Sequence, residues 1–148
     1  MTAKIIIFDI DNTILYQTNR SPYNWNNLSG DKPIPAMFEL MALFYNSGYY
    51  IVLSTGRPER VRPQTEAWLL ENGALYHKLY LNEIPKGKTV EHKEGVLMSI
   101  REKGYEIAMA FEDDAKCAAM YVANGVLTLS PLNYQVQKIV PIAKKLVE

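Results

Sequence analysis

The sequence has one cysteine, no long apolar run and no excess of charge of either sign. Because Cys117 has no second cysteine with which to form a disulfide, a reducing compartment is expected. The sixteen basic and sixteen acidic residues cancel, so the net charge does not indicate a surface that binds nucleic acid or a membrane nonspecifically. The first apolar run is interrupted by Asp9 and is too short for a signal peptide or a membrane span. We therefore expect a cytoplasmic protein without membrane association.

Length and composition indicate one compact domain. The 148 residues fall within the usual size of a domain, and 48% hydrophobic with 22% charged residues is ordinary globular usage. No repeat, low-complexity segment or linker divides the sequence. We expect a single domain over residues 1–148, and nothing in the sequence indicates its oligomeric state.

Five short segments rich in branched and aromatic residues alternate with segments of helical periodicity. The five begin at Lys4, Tyr49, Leu75, Glu106 and Val126. One helix is predicted from Pro33 to Ser47, with Gly48 as a candidate left-handed cap, and another from Leu132 to Glu148. The alternation is typical of parallel strands covered by helices. We predict an α/β fold with a single, mostly parallel sheet of about five strands and helices on both faces.

Polar side chains follow three of the predicted strands. They are Asp9, Asp11, Asn12 and Thr13 after the first, Ser54, Thr55, Gly56 and Arg57 after the second, and Glu112, Asp113 and Asp114 after the fourth. In an open parallel sheet these strand ends share one edge, where ligands bind. Converging carboxylates need a cation, and Mg²⁺ suits oxygen ligands and bridges to phosphate. Lys93, near the start of a helix predicted to end at Gly104, adds a positive charge, and Thr55 with the backbone at Gly56 offers hydrogen-bond donors. These groups together are typical of phosphoryl transfer.

The stretch FDIDNT, which contains Asp9, resembles the DxDxT motif of haloacid dehalogenase-type phosphatases. Motifs that contain Thr55, Lys93 and the acidic residues after the fourth predicted strand follow in that superfamily's order. The resemblance implies a Rossmann-like fold and a magnesium-dependent phosphohydrolase. Asp9 would attack phosphorus and form an aspartyl phosphate, which splits one difficult displacement into two easier ones.

The same resemblance implies roles for the other acidic residues. Asp11 would protonate the leaving oxygen, and would later accept a proton from the water that hydrolyses the intermediate. Mg²⁺ would be held by Asp9, by the backbone carbonyl of Asp11, and by Asp113 or Asp114. The sequence leaves the choice between the last two open.

Only about twenty residues separate Thr13 from the first predicted helix, a length typical of a loop and not of a domain. We therefore predict that no cap domain covers the site, which suits a phosphate on the end of a macromolecule. From Lys4 to about Leu129 the chain is similar to the 3′-phosphatase domain of the bacteriophage type of polynucleotide kinase and phosphatase, notably in DIDNT, NRSPYNW and GYYIVLSTGR.

This closer similarity implies that Arg20 and Arg57 hold substrate phosphates, for which a bidentate guanidinium is suited. It further implies removal of 3′-phosphate from DNA or RNA ends, with a separate kinase or ligase working alongside. The sequence departs from that family at residues 88–90, which are Lys, Thr and Val where the family tends to have aspartates. The GKT at 87–89 resembles the end of a nucleotide-binding loop, but it is not one because Asn82 stands in place of the first glycine of that loop.

Two alternatives remain at this stage. One is a phosphatase of a small phosphomonoester such as a nucleotide, and the other is a receiver-like signalling module with a phosphorylated aspartate. Tyr16, Tyr23 and Trp25 could stack on bases or anchor their loop. Arg60 and Arg62 could extend a track of phosphate contacts or be ordinary charges at an exposed helix start.

Overall fold

The computed structural model describes residues 3–18, 20–84 and 87–131. Its strands are β1 (Ile5–Phe8), β2 (Leu15–Tyr16), β3 (Lys32–Pro33), β4 (Tyr50–Pro58), β5 (Lys78–Asn82), β6 (Ile107–Phe111) and β7 (Thr128–Leu129). Its α-helices are α1 (Pro35–Asn46), α2 (Arg62–Glu71), α3 (Thr89–Glu102) and α4 (Ala115–Ala123). Two 3-10 helices, Trp25–Gly30 and Glu59–Val61, precede α1 and α2. The helix predicted at 132–148 lies outside the described residues.

The main sheet has five strands in the order β5-β4-β1-β6-β7, and all neighbouring strands are parallel. The chain moves outward from β1 through β4 to β5, and then returns to β6 on the other side of β1. The order of the strands therefore reverses between β1 and β6, the place where open α/β sheets bind ligands. The predicted α/β fold with a mostly parallel sheet is confirmed.

Alternating residues of β1 build a core on each face of the sheet. Ile6 and Phe8 lie in a buried cluster with residues of α1 and α2, whereas Ile5 and Ile7 lie in a second cluster with residues of α3 and α4. The rings of Phe8 and Phe111 stack with centroids 4.6 Å apart. Helices thus cover both faces, as predicted, and the carboxyl ends of the strands are held rigidly at one edge.

The segment between β1 and α1 departs from the prediction of an unstructured loop. It contains β2 and β3, which pair antiparallel as a small separate sheet, and the 3-10 helix Trp25–Gly30. Because Lys32–Pro33 is taken up by this pairing, α1 begins at Pro35 instead of Pro33. Gly48 follows α1 with φ +92°, the left-handed conformation expected of a cap.

The described residues include no cap domain, in agreement with the prediction. The chain between β1 and α1 forms the small sheet and the 3-10 helix, and the one between α2 and α3 contributes β5 to the main sheet. Within the described ranges, no helix has the length and apolar character needed to span a bilayer.

Candidate active site

The carboxyl ends of β1, β4 and β6 line a cleft of about 580 Å³. Among the predicted site residues, those that line it are Asp9, Asp11, Gly56, Arg57, Lys93, Asp113 and Asp114. Thr55 is fully buried, and its Oγ1 accepts a hydrogen bond from the backbone N–H of Arg57 at 3.1 Å. This contact shapes the carboxyl-terminal part of β4, and the Thr55 side chain does not line the cleft.

Asp9 lies at the end of β1 with both carboxylate oxygens engaged. Its backbone N–H donates to the carbonyl of Phe111 at 2.9 Å, which extends the pairing of β1 with β6. Lys93 Nζ donates to Oδ1 at 2.8 Å, and Thr13 Oγ1 donates to Oδ2 at 2.9 Å. The residue is 5% exposed. These contacts fix one orientation of the carboxylate at the floor of the cleft.

Lys93 joins Asp9 to Glu112, a residue that the sequence analysis placed at a strand end but gave no role. Its Nζ donates to both oxygens of Glu112, at 3.0 and 2.9 Å. Burial alone would lower the pKa of Lys93, but the charges of Asp9 and Glu112 raise it well above its usual value. The ammonium is therefore charged and is held between two carboxylates.

Asp9, Glu112 and Asp113 form an acidic cluster whose carboxylate oxygens lie within 4.8 Å of one another. Burial, with the charge of Asp9, raises the pKa of Glu112 to about 8. Burial, with a hydrogen bond to Asp9 and its charge, raises the pKa of Asp113 to about 9. One lysine is thus too little positive charge to keep all three carboxylates ionised, as expected of a site that takes a further cation.

The structure does not bring Asp114 into this acidic cluster. Its carboxylate accepts a hydrogen bond from the N–H of Cys117 at 2.9 Å and caps the amino end of α4. Asp113 is therefore the residue that clusters with Asp9, whereas Asp114 lies in a second possible cluster with Glu112 and Cys117. Cys117 itself is 1% exposed, and burial raises the pKa of its thiol.

The side chain of Asp11 lies on the other side of the cleft, between Arg20 and Arg57. Arg57 Nε and Nη2 donate to its two oxygens at 3.0 and 2.8 Å, and Arg20 Nη2 donates at 2.9 Å. Burial would raise the pKa of Asp11, but the hydrogen bonds and charges of Arg57 and then Arg20 outweigh it and lower the pKa. In this arrangement Asp11 is ionised, the form that accepts a proton.

Asp31 is a second carboxylate between the same arginines, and no motif in the sequence indicates it. It accepts from Arg20 Nε and Nη2 at 2.9 and 2.8 Å, and from Arg57 Nη2 at 3.1 Å. We call Asp11, Arg20, Asp31 and Arg57 the arginine network. The donors of the two arginines point at aspartates of the chain and their side chains are covered, and their role in holding substrate phosphate stays a prediction.

The aromatic residues of the loop after Asp9 have different environments. The ring of Trp25 lies 5.3 Å from the guanidinium carbon of Arg20 and 5.8 Å from that of Arg57. Tyr23 lines the cleft and is 75% exposed. Loop anchoring is therefore the better interpretation for Trp25, whereas the Tyr23 ring is open to solvent.

Gly56 lies where β4 meets the amino end of α3. A Cβ atom at this position would come within 2.8 Å of Thr89 Cγ2 and 3.0 Å of Thr89 Oγ1. Thr89 is one of the residues at which the sequence departs from the bacteriophage-type pattern, and it lines the cleft. The departure therefore places a threonine against the backbone of Gly56, in the motif that contains Thr55.

Residues 3–135 match the family model of the polynucleotide kinase PNKP phosphatase domain. The chain belongs to this family. This PNKP-type domain is accordingly a phosphatase of the haloacid dehalogenase superfamily, and the predicted family and enzyme class are confirmed. The receiver-like alternative is excluded by this membership. The strand order also argues against it, because a receiver of the CheY type has the chain-order pattern 2-1-3-4-5, whereas the main sheet here follows 3-2-1-4-5.

Solved structures resemble the PNKP-type domain in fold. Chains from two structures of the Pnkp1/Rnl/Hen1 complex, the first described as an RNA repair complex, superpose with TM-scores of 0.81 and 0.78 at 20% and 23% identity. Both matches cover 88% of this chain, which spans 42% and 46% of the matched chains. The N-terminal part of BF1531 from Bacteroides fragilis, a phosphatase domain complexed with Mg, matches with a TM-score of 0.57 at 14% identity over 88% of this chain and 36% of that one. No curated protein sequence matches the chain.

Proposed function

We propose that this PNKP-type domain removes 3′-phosphate from the ends of polynucleotides by a double displacement at Asp9. The observation that carries the proposal is the environment of Asp9. Its buried carboxylate is held by Lys93 and Thr13 at the floor of a cleft that has no cap in the described part of the chain. A fixed, partly desolvated carboxylate beside a cationic group is suited to attack a phosphoryl group.

In the first step, an oxygen of Asp9 forms a bond to phosphorus, and the bond from phosphorus to the 3′ oxygen breaks. Asp11 transfers a proton to the leaving oxygen. In the second step, water attacks the phosphorus of the aspartyl phosphate and gives a proton to Asp11. The bond between the Asp9 oxygen and phosphorus breaks, so that inorganic phosphate leaves and Asp9 is restored. The ionised, arginine-held Asp11 is ready for the second step. For the first step it must take up a proton and give up part of its contact with Arg20 and Arg57.

The acidic cluster fits a magnesium ion. Asp9, Glu112 and Asp113 place three carboxyl groups beside the single charge of Lys93, and oxygen is the ligand that Mg²⁺ prefers. Glu112 already binds Lys93 through both oxygens. We therefore assign the ion to Asp9, Asp113 and the backbone carbonyl of Asp11. Bound there, Mg²⁺ would offset the negative charge of the phosphoryl oxygens.

The open cleft supports a macromolecular substrate, and the family supports a nucleic-acid end. A separate kinase or ligase is a proposed partner, since two of the solved structures that resemble this chain are of a Pnkp1/Rnl/Hen1 complex. The volume of the cleft also suits the second candidate, a small phosphomonoester such as a nucleotide, because about 580 Å³ is within the usual size of small-molecule pockets. Both candidates use the same chemistry at Asp9.

The deciding experiment measures phosphate release from matched oligonucleotides that carry a phosphate at the 3′ or the 5′ end. With Mg²⁺ we expect release from the 3′ end, and with a chelator none. Asp9→Asn, which keeps the size of the side chain, should show no release above background. Asp11→Asn should slow the reaction about 10²- to 10⁴-fold, the usual contribution of a general acid and base.

The substrate assignment fails if free nucleotides and p-nitrophenyl phosphate turn over while 3′-phosphorylated oligonucleotides do not. The assignment of the nucleophile fails if Asp9→Asn keeps activity. Asp114→Asn is a matched control for the acidic substitutions, because asparagine caps helices about as well as aspartate does. It should leave the reaction nearly unchanged.

A further inference from the structure

A second cleft of about 410 Å³ lies between the 3-10 helix Trp25–Gly30 and α2. Trp25 lines both this cleft and the active-site cleft, so the two hollows share one wall. The far end of the 3-10 segment is anchored to α2, because Trp68 Nε1 donates to the backbone carbonyl of Asp31 at 2.9 Å. We call this second cleft the Arg60 cleft, after the basic residue in its lining.

Arg60 differs from the other arginines near the active site. Arg57 is buried in the arginine network, and Arg62 pairs with Glu59 and Glu66. Arg60 is exposed and makes no ion pair or side-chain hydrogen bond within residues 3–18, 20–84 and 87–131. Its guanidinium is therefore available to an anion from solution.

The two ends of the Arg60 cleft carry opposite charges. Arg60 precedes α2, and Glu71, which also lines the cleft, is the last residue of that helix, about 15 Å away along the axis. Trp25 contacts Arg57, three residues before Arg60, so the basic end is the one next to the active site. Asn26 and Gln64 add exposed amide groups to the lining. An anion leaving the active-site cleft over Trp25 would meet Arg60 first.

We propose that the Arg60 cleft binds the nucleotide that precedes the 3′-phosphorylated one, with Arg60 on its phosphodiester and the amides of Asn26 and Gln64 on its sugar or base. The proposal rests on the polynucleotide substrate proposed above. It gives the single strand a path from Asp9 across the edge of Trp25 and along α2. Phosphate contacts of this kind position a nucleic acid without reading its sequence.

The test compares kcat/KM for 3′-phosphorylated substrates that range from a single nucleotide to longer oligonucleotides. The wild-type value should rise when a second nucleotide is added. Arg60→Gln should lose about tenfold with oligonucleotides, the value of one charge-assisted hydrogen bond, and nothing with the mononucleotide. The slope of log kcat/KM against log salt should also become shallower by about 0.7, as for the loss of one phosphate contact to a single strand.

Two further variants separate binding in the cleft from a change in net charge. Lys103→Gln removes the same charge from an exposed residue just beyond α3 and should leave every substrate unchanged. Ala67→Glu places bulk and negative charge in the cleft from an exposed position on α2, and should repeat the effect of Arg60→Gln.

The outcomes distinguish this proposal from the substrate proposal. If the wild-type protein hydrolyses no 3′-phosphorylated oligonucleotide but does hydrolyse small phosphomonoesters, the polynucleotide substrate is wrong and the Arg60 cleft falls with it. If oligonucleotides are hydrolysed and Arg60→Gln matches the wild type at every length, the substrate stands and the Arg60 cleft is overturned. Equal losses in Arg60→Gln and Lys103→Gln would also overturn it, because they would reflect general charge.

Discussion

At the residue scale, Asp31 holds in place the two arginines that contact Asp11. Its side chain is fully covered and contacts Arg20 and Arg57 together. Without it, two guanidinium groups would share the single carboxylate of Asp11. Arginines that are held in place from two sides fix the position of Asp11, the residue proposed to act as acid and base, relative to Asp9.

Asp31→Asn is expected to destabilise the protein by about 3 kcal/mol, because removal of one partner leaves buried charge uncompensated. Urea unfolding followed by circular dichroism measures the change. Glu59→Gln, which breaks a more exposed pair with Arg62, is the matched control and should cost less than about 1 kcal/mol. Equal effects of the two substitutions would contradict the structural importance of the arginine network.

The sequence was informative about residues that lie in motifs and less so about their partners. Asp9 and Asp11 were predicted from motif spacing after a strand, and Lys93 from a motif near the start of a helix; all three line one cleft. Glu112 stood in the right place, but nothing local showed that Lys93 would bind it. Asp31 lies eleven residues after Arg20 and reaches it only through the fold of the intervening loop, so no local pattern predicts the contact.

At the element scale, His77 ties β4 to the approach of β5. Its N–H donates to the carbonyl of Ile51, and its Nδ1 accepts from the N–H of Ile51, both at 2.9 Å. The rings of Tyr45 and Tyr50 stack on the imidazole at 4.4 and 4.3 Å. The accepting nitrogen must be free of a proton, and burial lowers the pKa of His77. Neither contact was expected from the sequence, where His77 was an ordinary residue of a strand.

The contribution of His77 to stability should therefore fall on mild acidification. As the pH drops below about 6.5, His77 takes up a proton in the unfolded chain before it does so in the folded one, so its contribution to the free energy of unfolding decreases until the pH reaches the lower folded pKa. His77 is largely exposed to solvent, so its desolvation is partial and the effect stays below about 1 kcal/mol. Glu112 and Asp113, whose pKa values are raised, act in the opposite direction, so the measurement compares wild type with His77→Phe by urea unfolding at pH 7.5 and pH 5. Between these pH values the wild type should lose more stability, or gain less, than His77→Phe, and an equal change in the two proteins would refute this role.

The boundaries of helices and strands were predicted well where an apolar repeat extends over many residues. They were missed where only the pairing of two short strands defines the element. The apolar repeat of α1 is twelve residues long and was recognised, with an error of two residues at its start. Strands β2 and β3 are two residues each, too short for any alternation to be read. The predicted third strand began three residues early, because residues 75–77 approach the sheet before the pairing of β5 begins.

At the scale of the whole molecule, the fold was the most predictable property. Alternating apolar segments and helical repeats specify a parallel sheet with covered faces, and the distance between motifs leaves no room for a cap before α1. The order of the strands did not follow from that pattern. It depends on the return of the chain from β5 to β6, a crossover that the sequence does not encode locally.

Mg²⁺ should raise the melting temperature of the entire domain, because an ion that binds the folded state stabilises it by mass action. Differential scanning fluorimetry with increasing Mg²⁺ measures the rise. Asp113→Ala should abolish the rise, whereas Asp114→Ala should keep it while lowering the baseline, since it loses the cap of α4 at a cost of about 1 kcal/mol. The reverse result would assign the ion to Asp114.

The environment of Cys117 has a practical consequence for experiments in solution. A covered thiol that keeps its proton reacts slowly with alkylating reagents, and this one is the sole cysteine of the chain. The native protein therefore has almost no background with maleimide dyes. A fluorophore attached through Lys103→Cys, just beyond the end of α3, would serve to test binding of the proposed polynucleotide substrate without first removing any natural side chain from the interior.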